Sequence, residues 1–294
     1  MEHIFTYEAS SADEAKTVEA FLKEQGYSKK LITRLRQTSL GLTIDGQLVY
    51  TTHKLIPGEV LQVRVVEDAV SEHIVPTPMD LDILYEDDDL LVINKPADMP
   101  VHPSLGNYTN TLANGLAHYF SAKEMPFTFR TINRLDRDTT GLLIVAKHQL
   151  SACILYDMAA RRQLHRTYLA VVTGHLEGKG TISAPIARKP DSILTRCVDF
   201  SAGESAITHY ESLDYKNGYT LVQVTLETGR THQIRVHMSH IGHPIPGDFL
   251  YHPDYSVIHR QALHSFSLEF THPLTGREMH FLAPLPKDMQ RIFQ

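Results

Sequence analysis

The chain has 294 residues, 42% hydrophobic and 21% charged, which fits one catalytic domain with a small appendage and excludes a disordered or fibrous protein. Its 28 basic and 34 acidic residues give a formal charge of −6, the wrong sign for a nucleic-acid binder taken as a whole. Nine of the acids, however, crowd into residues 67–90 without one Lys or Arg, and the rest of the chain carries 28 basic against 25 acidic residues. Two cysteines, Cys153 and Cys197, exclude a disulfide framework and a Cys-rich zinc site. No stretch reads as a secretory signal or a membrane span, so a soluble, cytoplasmic protein without membrane contact is expected.

From the N-terminus, Ala15, Val18, Phe21 and Leu22 lie at helical spacing over residues 13–25, with Ser10 and Ser11 as caps. A second helix is predicted over residues 29–37, apolar at Leu31, Ile32 and Leu35 and basic at Lys29, Lys30, Arg34 and Arg36. Two short strands flank the Asp45-Gly46 turn, and a third covers residues 60–66. This unit, residues 1–70, is followed by a linker at 71–80 containing Pro76 and Pro78. The larger domain, 81–294, mixes short strands (90–94, 141–146, 167–172 and a hairpin about Asn217-Gly218) with helices at 111–120 and 149–162. Without a regular βαβ alternation, the expected fold is α+β, built on a mixed, mainly antiparallel sheet with a small N-terminal α/β domain.

Four segments could carry chemistry. In Asn133-Arg134-Leu135-Asp136-Arg137-Asp138, two carboxylates alternate with two guanidinium groups ahead of an apolar strand. A carboxylate beside Arg stays ionised, which suits a nucleophile or electrostatic stabiliser and not a general acid. Taken alone, the cluster reads rather as a salt-bridged turn capping a core strand. Gly229-Arg230-Thr231-His232-Gln233-Ile234-Arg235 places Arg235 one turn past Thr231 if Thr231 caps a helix. The histidines at 232, 237, 240 and 243 have neither HExxH spacing nor a carboxylate among them, so no metal is expected. His165-Arg166-Thr167-Tyr168 leads into a strand, and residues 94–103, with three prolines, form a stiff loop.

In this order, the four segments closely resemble the pseudouridine synthases of the RluA type, over residues 94–251 and by extension the whole larger domain. The N-terminal unit resembles the S4 RNA-binding fold, on its basic helix and the Ile44-Asp45-Gly46 turn. The resemblance implies that specific uridines of ribosomal or transfer RNA become pseudouridine without any cofactor. RNA is the expected partner; the sequence shows no obligatory protein partner, and a monomer is the default expectation. The resemblance also implies that Asp136 is the catalytic carboxylate, Arg235 its ion-pair partner, and Tyr168 the residue packed against the target base. Arg134 would enter the RNA stack, and Asn133, Leu135, Arg166, Arg230 and His232 would meet the substrate beside it. Lys29, Lys30, Arg34 and Arg36 would contact RNA phosphates. The family usually has His where this chain has Asn133, which keeps a donor and an acceptor but does not titrate. Two other readings compete: an RNA-binding protein that has lost catalysis, and a glycosidase using Asp136 and Asp138. The second fits poorly, because glycosidase carboxylates flank the sugar from separate elements.

Overall fold

A computed structural model describes residues 2–67, 71 and 73–294. The chain opens with β1 (Glu2–Glu8), α1 (Val18–Glu24), α2 (Lys29–Gln37), β2 (Leu42–Ile44), β3 (Gln47–Leu48) and β4 (Val60–Val66). These strands form an antiparallel sheet in the order β1-β4-β2-β3. Asp45 (φ +50°) and Gly46 (φ +78°) make the positive-φ turn that matches the twist of a two-residue hairpin. Val18, Leu22, Leu31 and Leu35 from the helices close over Leu61 and Val63 in a shared core.

One expectation needs correction here, and one strand was not foreseen. The helix predicted over 13–25 is broken, because Ala15 adopts φ +61°. Ser10 and Asp13 close a short 3-10 turn at Ser11–Asp13, and Thr17 accepts the Ala20 N–H as the real cap of α1. Strand β1, which no sequence pattern announced, alternates His3, Phe5 and Tyr7 inward with Glu2, Ile4, Thr6 and Glu8 outward.

The larger part contains β5 (Ile83–Glu86), β6 (Leu90–Lys95), α3 (Leu112–Ser121), β7 (Thr140–Ala146), α4 (Gln149–Ala160) and β8 (His165–Thr173). It continues with β9 (Lys179–Ser183), β10 (Ile186–Arg188), β11 (Arg196–Val198), β12 (Ile207–Lys216) and β13 (Tyr219–Leu226). The last elements are α5 (Gln233–His240), β14 (Leu263–Thr271), β15 (Glu278–Leu282) and α6 (Lys287–Gln290). The main sheet runs β5-β6-β7-β14-β8-β13-β12-β9, with β15 paired to the far half of β14. Every pairing is antiparallel except β7 with β14, so the fold is mixed α+β with mostly antiparallel sheet.

Strands β6 and β7 are covered on both sides, which is why they read as unbroken apolar runs. Leu91, Ile93, Leu143 and Val145 face α3, whereas Leu90, Val92, Leu142 and Ile144 face Ala152 and Leu155 of α4. Gly141 (φ +105°) sits where β14 crosses β7, and a Cβ there would run into the backbone of Ser265. Only glycine lets the two strands approach so closely.

The two parts are in direct contact. Leu150 of α4 is buried in the N-terminal core, and Gly26 lies against Ile154. Glu67 accepts from Arg130 Nη2 and from the Gln149 backbone, both at 2.7 Å. The expected linker falls partly outside the described residues, at 72, as does the expected domain boundary at 70. The described remainder lies along α3: Asn114 Nδ2 donates to Val75 O at 2.8 Å, and Thr77 N to Asn114 O at 3.1 Å.

Several acids of the 67–90 run have specific structural partners. Asp87 accepts from the backbone N–H groups of Asp89 and Leu90 and from the Tyr85 hydroxyl. Asp89 pairs with buried His148 at 2.7 Å, and Glu86 with Lys147 and Lys123. His272 uses Nδ1 to accept the Leu274 and Thr275 N–H groups, so its Nε2 donates to Asp87 at 2.8 Å. That hydrogen bonding leaves no lone pair on Nε2 to hold a metal ion between Asp87, Asp89 and His272, whose ligand atoms lie close together.

Candidate active site

Asp136 lies on the loop between Asn133 and β7, its turn closed by the Thr139 N–H donating to the Asp136 carbonyl. Its side chain is 30% exposed, and its Oδ2 accepts from Arg235 Nη1 at 2.6 Å. Arg235 projects from the first turn of α5 and is 2% exposed. Its other edge binds Asp248 in a fork, Nε to Oδ2 at 2.6 Å and Nη2 to Oδ1 at 2.7 Å. Burial works against the guanidinium charge, yet the two carboxylates outweigh it and hold the Arg235 pKa above its ordinary value. Asp248 is fully buried, and Oδ1 also accepts the backbone N–H groups of Leu250 and Tyr251. Three charges on three elements thus form one locked line, with its outer carboxylate reaching solvent.

Tyr168 on β8 is 5% exposed and shares a small cavity of about 70 Å³ with Arg134, Asp136, Arg230 and His232. A wider cleft of about 540 Å³ runs outward from it past Arg134, Arg137, His102 and Phe249. Arg134 and Arg137 are exposed, whereas Leu135 is buried in the core and still lines the cavity floor. Asp138 is turned aside, its carboxylate taken up by Arg137 at 3.0 Å.

The expected substrate neighbours divide. Asn133 lies outside the lining of both cavities: it is 5% exposed, Oδ1 accepts the Ile144 N–H at 2.9 Å, and Nδ2 donates to Leu142 O at 3.3 Å. An amide satisfies both strand groups because it offers a donor and an acceptor. Arg166 on β8 lies outside the lining of both cavities. Arg230 lines the inner cavity while donating to Ser205 O at 3.1 Å and pairing with Glu204. Of the α2 residues, Lys29, Lys30 and Arg36 are exposed; Arg34 is partly buried and donates to Val66 O at 3.2 Å.

Three features were not evident from sequence. Thr231 does not cap α5; His232 occupies that position, and Gln233 folds back so that Oε1 accepts the Arg230 N–H at 2.9 Å. Asp248 stands in the segment that carried the resemblance, and its signal is the preceding glycine: Gly247 has φ +73°, and a Cβ there would meet the Arg260 carbonyl. Lys95 is fully buried and donates to the carbonyls of Pro96, Met99 and Arg137 at 2.6–2.9 Å, tying the proline-rich loop to the Asp136 loop. Burial pushes its pKa down to about 7.

The model of the RNA pseudouridylate synthase family matches residues 89–240. The chain is 42% identical over 279 residues to the RNA pseudouridine synthase YjbO of Bacillus subtilis (strain 168), covering 95% of this chain and 98% of that one. It is 38% identical over 257 residues to the ribosomal large subunit pseudouridine synthase D of Escherichia coli (strain K12), covering 82% and 78%. Among solved structures, Human RNA Pseudouridylate Synthase Domain Containing 1 superposes with a TM-score of 0.58 at 30% identity, over 70% of this chain and 83% of that one. The chain belongs to the RNA pseudouridylate synthase family, in the RluA-type branch, and is an enzyme that isomerises uridine in RNA. Among the described residues, no helix is long and apolar enough to cross a membrane.

Proposed function

We propose that Asp136 is the carboxylate that drives the isomerisation, and that the RNA is structured ribosomal large-subunit RNA. The reaction breaks the N1–C1′ bond, turns the uracil, joins C5 to C1′, and exchanges the C5 proton for one on N1. Nothing is oxidised and no phosphate moves, so the chemistry calls for no cofactor. A positioned carboxylate is suited to the first step, whether it attacks uracil C6, attacks ribose C1′ or stabilises a charged sugar. The observation that carries this reading is the 2.6 Å bond from a buried, doubly paired Arg235 to a carboxylate that still reaches solvent. Arg235 fixes its direction and sets a positive charge beside it in a partly desolvated pocket.

In this reading Tyr168 packs against the turned-out uracil and is placed to help the C5 proton leave. Arg134, exposed at the cavity mouth, fills the gap in the RNA stack and offsets part of the cost of extrusion. The N-terminal unit of residues 1–70 acts as an S4-like RNA-binding domain through Lys29, Lys30, Arg34 and Arg36. Ribosomal RNA is favoured because a relative covering 82% of this chain is named for the ribosomal large subunit.

The test is tritium release from RNA labelled at uracil C5. Asp136→Asn is expected to abolish release while RNA binding survives, and normal turnover in that variant would falsify the assignment. Pseudouridine mapping of total RNA, with and without the protein, identifies the target; a site in transfer RNA alone would overturn the ribosomal reading.

A further inference from the structure

His232 adopts φ +59°, a left-handed conformation that an ordinary side chain enters only at a cost. Its side chain makes no capping hydrogen bond to α5, so helix termination does not explain the strain. What the conformation achieves is the aim of the ring. The Tyr251 hydroxyl accepts the backbone N–H of Arg196 on β11 at 2.8 Å, which leaves its own proton to donate. Among the described residues, its acceptor is His232 Nδ1, 3.0 Å away. With Nδ1 accepting, a neutral imidazole carries its proton on Nε2. Nε2 lies 3.9 Å from Asp136 Oδ2, on the wall of the same inner cavity. Burial holds the ring pKa below its ordinary value, and the charged groups facing it are Asp136, Arg235, Asp248 and Arg196.

We propose that His232 is a positioning residue whose Nε2–H, fixed in that tautomer by Tyr251, closes on Asp136 Oδ2 when a uridine occupies the cavity. The carboxylate then has two donors, Arg235 from one side and His232 from the other, and is held against rotation as the base turns. The gap of 3.9 Å is too long for a hydrogen bond in the free enzyme. Such contacts tighten in the substrate complex. The relay also ties β11 to the reacting carboxylate through Tyr251. The proposal rests on Asp136 being the catalytic carboxylate.

Asparagine tolerates the left-handed conformation better than histidine and is too short to span to Asp136, so His232→Asn separates aim from folding. The expected result is a melting temperature no lower than the parent's, a kcat reduced about tenfold or more, and a KM within about twofold. Tyr251→Phe removes the proton that sets the tautomer and is expected to lower kcat alone, but to add nothing in the His232→Asn background. Unchanged kcat in folded His232→Asn, or losses that multiply in the double variant, would overturn the proposal. So would a raised KM at unchanged kcat, which would make His232 a substrate contact. Normal turnover in Asp136→Asn sinks the assignment of Asp136 and this inference with it, whereas an inactive Asp136→Asn beside a fully active His232→Asn sinks this inference alone.

Discussion

Replacing Asp248 by Asn removes one charge from a pair whose side chains are 2% and 1% exposed. Solvent does not compensate such a loss: breaking a buried ion pair from one side costs about 3–5 kcal/mol, because the remaining charge is left in a low-dielectric site. Here Arg235 keeps its bond to Asp136, which places the cost near the lower end, about 3 kcal/mol. The geometry adds to it. An amide oxygen replaces one acceptor of the fork, but its NH2 group then faces the other guanidinium N–H, donor against donor. For a chain of this size, each kcal/mol moves the melting temperature by about 2–4 °C, so a fall of about 6–12 °C is expected by circular dichroism. Turnover should drop as well, by about 10–100-fold, because Arg235 then holds Asp136 without being held itself. Asp136→Asn should show the opposite profile, with no activity and little loss of stability, since that carboxylate is 30% exposed. A melting temperature within about 1 °C of the parent in Asp248→Asn would refute the argument that the buried fork holds the site together.

Asn133→Leu leaves the Ile144 N–H without its acceptor and is expected to cost about 1–3 kcal/mol in denaturant unfolding; a pure weakening of RNA binding would return Asn133 to the cleft. Burial lowers the pKa of His237 and His264, so as pH falls the unfolded chain, titrating near 6.5, takes up protons first. Their contribution to stability is full above about pH 6.5 and is lost below it, and a melting temperature flat from pH 7 to 5 would contradict this. Lys29→Gln with Lys30→Gln should shallow the log–log salt dependence of RNA binding, by about 0.7–0.9 for each phosphate these side chains neutralise; an unchanged slope would leave them as ordinary solvated surface.

How much was legible in the sequence depended on how local each signal is. Helix α2 forms over Lys29–Gln37, as its apolar spacing dictates, and the β12–β13 hairpin turns at Asn217-Gly218 as its positive-φ residues require. The helix at 13–25 failed because spacing alone is blind to one left-handed residue, Ala15, followed by a second cap at Thr17. Asp136, Tyr168 and Arg235 come together from three elements, and their motifs were readable because each is contiguous. The fork to Asp248 was not, since 13 residues separate it from Arg235 and no periodicity links a helix to a following loop. The bonds from Asn133 to β7 were hidden for a related reason: a polar residue beside exposed Arg134 looks like surface until the strand it braces is in place.

Strand β14 comes late in the sequence yet lies in the middle of the main sheet, between β7 and β8. Synthesis runs from the N-terminus, so β7 and β8 leave the ribosome well before the segment that separates them, and the sheet stays open until Leu263–Thr271 is available. The loop carrying Asp136 leads into β7, at the Gly141 crossing that β14 alone completes. An unfinished chain therefore has the motifs of this enzyme without a closed pocket, because Leu263 of β14 is itself part of the inner cavity wall, and catalysis waits until that strand has joined the sheet.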